Sequence, residues 1–245
     1  MLTAFRDFWK PDISCRAVSS ELMDDQTVDE RALFVTLNDF KYINRYISKV
    51  QQTLRETVIA DMRMNKMRTV SFLDVASGGS DTALWFSRYC KSHGIGCTVY
   101  CLDNDPRALR YSRYVCRNDP SINFIESDAR DLAQLGIRVD YAFSNHFFHH
   151  LEDQDIPDML RAIRDCCRHG FVVNDLERAS RWFIGFTILG GLFWRHGFTL
   201  ADGRMSIRRG FDGAELQQYV IEAGIDATIT RGGVGHWRIT NIRWQ

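Results

Sequence analysis

The chain of 245 residues predicts an α/β fold with a mostly parallel sheet, and three observations carry that expectation. Short apolar runs recur and end in an acid, helical patterns fill the intervals between them, and the first run breaks at once into small residues. Residues 70–75 are an apolar strand that includes Asp74, and Ala76, Ser77, Gly78, Gly79 and Ser80 form a turn before a helix over 82–91. A strand, a tight turn and a helix start leave backbone N–H groups facing a ligand-sized gap, which small side chains let a ligand approach. A second strand over 97–103 ends in Asp103 with Asn104 beyond it, where a carboxylate can take both hydroxyls of a ribose. A helix over 106–116 leads to a third strand at 122–125, followed by Glu126, Ser127, Asp128 and Ala129. The fourth strand, 139–143, runs into Ser144, Asn145, His146, Phe147, Phe148, His149 and His150. A helix over 156–168 precedes a fifth strand at 171–176, with Asn174 and Asp175 at its carboxyl end.

The remaining segments flank this sheet. Residues 20–64 read as helical, with Leu33, Leu37, Phe40, Ile43, Ile47 and Val50 at spacings of three and four. That face covers either the ligand mouth or a neighbouring surface, a dimer contact included. Residues 65–69 are too short and charged for a flexible linker, so 1–66 is a dependent layer on a main domain at 67–245. Residues 177–194 predict a helical insertion rich in Trp182, Phe183, Phe186, Phe193 and Trp194, extending to about 205 in all. Its position after a strand end suits an aromatic wall for an apolar substrate. A final helix over 211–224 and a hairpin of 225–230 with 235–242 close the chain.

Composition narrows the function classes. Lysine plus arginine equals aspartate plus glutamate, 31 against 31, a poor footprint for nucleic acid. Arg204 to Arg209 read as a solvated basic face. Seven scattered cysteines without a Cys-x-x-Cys pair suggest a reduced, cytoplasmic protein, and no metal-ligand spacing stands out. Charges interrupt residues 1–10, unlike a signal peptide, and the apolar stretch 182–194 is too short for a bilayer.

Asp74 to Ser80, Asp103, Asp128-Ala129 and the 145–150 segment together resemble the successive motifs of class I S-adenosylmethionine-dependent methyltransferases, over roughly residues 70–241. The resemblance implies a Rossmann-like, doubly wound seven-stranded sheet with an N-terminal helical cover and an antiparallel C-terminal pair. It also implies S-adenosylmethionine as cofactor, with Asp74, Ala76, Ser77, Gly78 and Gly79 at its amino-acid part. Asp103 and Asn104 would then lie at the ribose, Asp128 and Ala129 at the adenine, and Asn145 near the amino-acid end. Ala76 and Ser80 stand where the family's turn has glycines, a mild change at negative φ and a serious one at positive φ; Ser80 at the helix start can cap it. A nicotinamide-binding unit shares the first turn but has no role for Asp128-Ala129 or the histidines. The missing proline after the fourth strand disfavours amino-methylation of a nucleic-acid base. The 175–178 stretch, the aromatic insertion and 206–211 are similar to a bacterial subgroup acting on aromatic or polyketide-like metabolites.

Methyl transfer needs alignment above all, and a hydroxyl or acidic carbon also needs a base. His149 is the first candidate and His146 the second, with Asp175 orienting a histidine, binding substrate or capping the insertion helix. A protein that binds the cofactor for cyclisation or scaffolding is the alternative reading.

Overall fold

The computed structural model describes residues 11–194 and 197–243. Its seven strands are β1 (Thr69–Val75), β2 (Gly96–Asp103), β3 (Ile122–Glu126), β4 (Val139–Asn145), β5 (Cys167–Leu176), β6 (Thr228–Arg231) and β7 (His236–Thr240). They form one sheet in the order β3-β2-β1-β4-β5-β7-β6. The first five are parallel, and β7 runs antiparallel to both β5 and β6. The order reverses between β1 and β4, so their carboxyl ends open a crevice beside Val75 and Ser144, which pair in register.

Alternation along the strands sends side chains to two covered faces. Leu73, Val75, Ala142, Phe171 and Val173 pack on one face with Leu160 and Ile163 of α6 (Ile156–Cys166) and Leu216 and Val220 of α9 (Gly213–Ala223). Phe72, Val99, Cys101, Tyr141 and Phe143 pack on the other with α2 (Val50–Glu56), α3 (Val58–Met64) and α4 (Asp81–Ser92). The helix α5 (Pro106–Cys116) starts with Pro106 behind an Asp105 cap that accepts from the Arg107 N–H. The helix α9 is closed by a reciprocal Asp212–Glu215 capping box and ends at Gly224 in the left-handed region.

The N-terminal segment is not one run of helix. Leu22–Asp24 is a single 3₁₀ turn, and α1 (Glu30–Tyr46), α2 and α3 follow with breaks at Lys49 and Thr57. Leu33 and Leu37 of α1 pack against Ala108 of α5. The helix expected to reach residue 168 stops at Cys166, because Cys167 turns extended and pairs with Val139. Long-range pairing overrides a local apolar pattern there. The expected final helix starts at Gly213, and its hairpin strands are shorter than the sequence pattern. Beyond β5, α7 (Ser180–Phe193) and α8 (Thr199–Arg209) form a packed helix pair rather than one insertion helix. Arg204 to Arg209 lie in α8, and Arg209 and Ser206 are buried, against the expectation of a solvated face. The expected absence of a signal at 1–10 falls outside the described residues. Among the described residues no helix is long and apolar enough to cross a membrane, and all seven cysteines are free thiols.

Candidate functional site

A cavity of about 770 Å³ opens at the carboxyl ends of β1, β2 and β4. Its floor at one end is the turn after β1. Asp74, Ala76, Ser77, Gly78, Gly79, Asp103, Asn104, Asp128, Ala129 and Asn145 all line it, so the structure brings together every residue expected at the cofactor. The turn is shaped by positive φ at Ala76 (54°), Gly78 (49°) and Ser80 (54°). Ala76 and Ser80 therefore occupy the left-handed region that costs an L-residue about 1–2 kcal/mol, the serious case for these replacements. Ser80 makes no side-chain cap to α4; its Oγ donates to Ser77 Oγ at 3.3 Å, which corrects the capping expectation.

Carboxylates crowd this end. Asp103 accepts the Gly78 N–H on Oδ2 at 2.7 Å and the Asp105 N–H on Oδ1 at 2.9 Å, locking the turn to the end of β2. Asp74 is buried, and its Oδ2 has no hydrogen-bond partner. Burial, then the neighbouring Asp81 charge, pushes the Asp74 carboxyl well above its ordinary value, and burial also raises Asp81 and Asp103. Such a group of acids, one oxygen orphaned, fits a ligand bearing a cationic ammonium or sulfonium, as S-adenosylmethionine does. Three amides hold the cluster. Asn174 Nδ2 donates to Asn145 Oδ1 (2.8 Å), Asn145 Nδ2 to Asn44 Oδ1 (2.9 Å), and Asn44 Nδ2 to Asp81 Oδ1 (3.0 Å). At the far rim, Arg130 hydrogen-bonds Asp128 and holds its carboxyl below the usual range.

The histidines divide into two pairs. His146 follows β4 at φ 55°, with its N–H donating to the Asn174 carbonyl. Its Nε2 lies 2.6 Å from His236 Nε2 and 3.2 Å from Ser48 Oγ. His236 Nδ1 meets the Val234 carbonyl at 2.6 Å, so that nitrogen carries the proton and Nε2 accepts from His146. That assignment leaves the lone pair of His146 on Nδ1. Burial, then the facing His236, pushes His146 well below its ordinary value, and burial takes His236 down to about 4. Both are neutral at neutral pH.

His149 is different. It is buried, its Nδ1 lies 2.7 Å from Asp175 Oδ1, and its Nε2 lies 3.3 Å from Glu21 Oε1. Burial alone would lower its pKa, but Asp175 and Glu21 outweigh it and raise the ring to about 9. Asp175 is held below the carboxylate range in spite of burial, chiefly by His149. His149 is therefore a cation at neutral pH, the wrong state for the base expected of it. Asp175 orients His149 and accepts the Phe147 N–H, while the insertion helix α7 has Ala179 at its cap.

Several site residues had no signal in the sequence. Glu21 lies far upstream, and Ser206 Oγ donates to it at 2.6 Å. Arg209 donates to the carbonyls of Ser19, His149 and His150, stitching the N-terminal segment to the end of β4. Ser48 and His236 both reach His146, and the turn before His236 passes so close that a Cβ at Gly233 would lie 2.2 Å from the Ser48 carbonyl. Glu21 also joins His149 and His150 in a set with metal-ligand geometry, which chain spacing alone did not offer. Toward the helix pair that follows β5 the cavity is walled by Phe147, Leu176, Trp182, Phe186 and Leu189, and Phe40 and Ile47 from the N-terminal layer also line it.

Residues 72–170 match the profile of a family described as methyltransferase domain. No curated protein sequence matches the chain. Among solved structures, an S-adenosylmethionine-dependent methyltransferase from Aquifex aeolicus is 13% identical at a TM-score of 0.54, over 87% of this chain and 98% of that one. Human N-acetylserotonin methyltransferase is 15% identical at 0.55, over 86% of this chain and 56% of that one. The CMeT domain of citrinin polyketide synthase is 14% identical at 0.52, over 70% of this chain and 46% of that one. At these identities the likeness is one of fold. Residues 72–170 thus match a methyltransferase-domain profile, and the chain shares the class I fold of these methyltransferases.

Proposed function

We propose that the chain methylates a hydroxyl, or an acidic carbon, of a small aromatic or polyketide-like metabolite. The observation that carries this reading is one continuous cavity with buried acids at one end, an aromatic and aliphatic wall at the other, and a neutral histidine on its lining. The cofactor, when bound, supplies an electrophilic methyl group. Asp74, Asp81 and Asp103 would hold its cationic and ribose parts, and Asp128 with Ala129 would meet its adenine. Trp182, Phe186 and Leu189 bury the apolar body of the acceptor and exclude water. His146 takes the acceptor proton on Nδ1, because its Nε2 is engaged with His236 and Ser48. His149 and Asp175 position the end of β4 rather than acting as base. The layer ahead of β1 acts as a cover: Leu37 packs on the glycine turn, and Phe40 and Ile47 line the cavity beside it.

The test is turnover with labelled cofactor on a panel of phenols. Wild type should give a product heavier by one methyl, and His146→Ala should lose about 10²–10⁴-fold with a weakly acidic phenol. The loss should shrink for a phenol already ionised at the assay pH. Equal losses on both phenols would reject His146 as base, and cofactor binding with no methylated product from any acceptor would favour the scaffolding or cyclisation reading.

A further inference from the structure

Glu21, His149 and His150 line the cavity, and each offers one ligating atom, all within 4.8 Å of one another. His149 Nδ1 is taken by Asp175, so Nε2 is the atom that faces the cluster. That nitrogen is buried and, although 3.3 Å from Glu21 Oε1, lacks hydrogen-bond geometry to any partner. His150 Nε2 lies 3.8 Å from Glu21 Oε2, while its Nδ1 lies 3.4 Å from Asp24 Oδ2. Thus each imidazole has one nitrogen toward the centre and the other toward a carboxylate.

We propose that Glu21, His149 and His150 form a binding site for one divalent transition-metal ion, with Asp175 and Asp24 orienting the two imidazoles and the cavity providing the open coordination position. Metal bonds of ~2.0–2.2 Å to nitrogen and oxygen place neighbouring donors roughly 3–3.6 Å apart. The present separations, 3.3 Å to Glu21 Oε1 and 3.8 Å to Glu21 Oε2, suit a carboxylate that binds through both oxygens, with the donors closing from within 4.8 Å of one another. Carboxylate-oriented histidines are the usual support of a metal-binding imidazole, fixing its tautomer and raising its basicity. Two imidazoles with one carboxylate suit zinc, iron, cobalt or nickel and disfavour magnesium and calcium, which prefer oxygen-only shells. Three carboxylates, Glu21, Asp24 and Asp175, face the two imidazoles, so a dication is welcome. The scaffold is rigid: Arg209 holds the His149 and His150 carbonyls at 2.9 Å, and Ser206 holds Glu21. If the acceptor occupies the cavity as proposed above, its oxygen meets the open position; metal binding itself does not depend on that reading.

The experiment uses the full chain, stripped with a chelator and dialysed. Zinc is titrated calorimetrically, and cobalt is followed by its visible d–d absorption, with no cofactor or acceptor present. One equivalent should bind to wild type, and Glu21→Gln and His150→Ala should each weaken binding by more than roughly 10-fold, with Asp175→Asn weakening it roughly 10–100-fold. His150 is only part-buried, so His150→Ala serves where a buried variant fails to fold. His93→Ala should leave binding unchanged. Absence of saturable binding in wild type, undiminished binding in both Glu21→Gln and His150→Ala, or loss on His236→Gln alone would overturn the assignment. Failed turnover alongside intact metal binding would count against the methylation reading and leave the site standing.

Discussion

The strained turn after β1 gives a sharp stability prediction. Ala76 sits at φ 54° where glycine would be at ease. The left-handed conformation costs an alanine about 1–2 kcal/mol in the folded state. Glycine removes that strain but frees the unfolded chain, which offsets about 0.4–1 kcal/mol. Ala76 is half-buried at the cavity lining, and the loss of one methyl there removes little packing. Ala76→Gly should therefore stabilise the protein by about 0.5–1 kcal/mol. In a chain of 245 residues that corresponds to a melting temperature higher by about 1–4 °C. Calorimetric melts at one pH, with and without chelator, make the comparison. Ala83→Gly in the first turn of α4 is the control and should lose about 1 kcal/mol, since Ala83 is fully buried at ordinary helical geometry. Ser80→Gly should gain less than Ala76→Gly, because it also forfeits the bond to Ser77. A lower or unchanged melting temperature for Ala76→Gly, with Ala83→Gly behaving as expected, would refute the claim that this turn stores strain.

Two other outcomes follow from the site. The His149–Asp175 pair sets a pH dependence of stability: a ring raised from 6.5 to about 9 contributes about 3 kcal/mol, fully present below pH 6.5 and lost as pH rises through 9. Metal-free wild type should lose melting temperature across that window and Asp175→Asn should lose less, since Glu21 remains beside the ring; parallel profiles would remove the charged-imidazole assignment. Removing residues 1–28 takes away Glu21 and its ties while keeping the Asp29 cap of α1, and the cofactor should then dissociate faster from a folded domain. Unchanged dissociation would make the segment ahead of α1 a surface extension.

The sheet was legible because parallel strands buried on both faces read as apolar runs, and a ligand-binding α/β unit must place small residues and acids at the strand ends. The turn, Asp103 and Asp128 announced themselves in that way. The charge state of His149 did not, because it depends on Glu21, which arrives from a segment with no periodicity and is fixed by Ser206 and Arg209. The same holds for His146, whose neutrality follows from burial and then from a histidine 90 positions downstream. Arg204 to Arg209 misread as a solvated face because a charged helical stretch does not disclose that the chain's own carbonyls lie against it. Strand ends are local facts, whereas protonation belongs to contacts between distant segments.

The central claim is that the acids at the ends of β1 and β2 hold S-adenosylmethionine over the glycine turn. Calorimetric titration of S-adenosylmethionine into wild type and Asp103→Ala, each first shown by melting to be folded, tests it most directly. Wild type should bind one equivalent, and Asp103→Ala should bind more weakly by ~1.5–3 kcal/mol, the range for hydrogen bonds to a charged group. That corresponds to a dissociation constant raised roughly 10- to 150-fold. Equal affinity in the two folded proteins, or no binding to wild type, would contradict it.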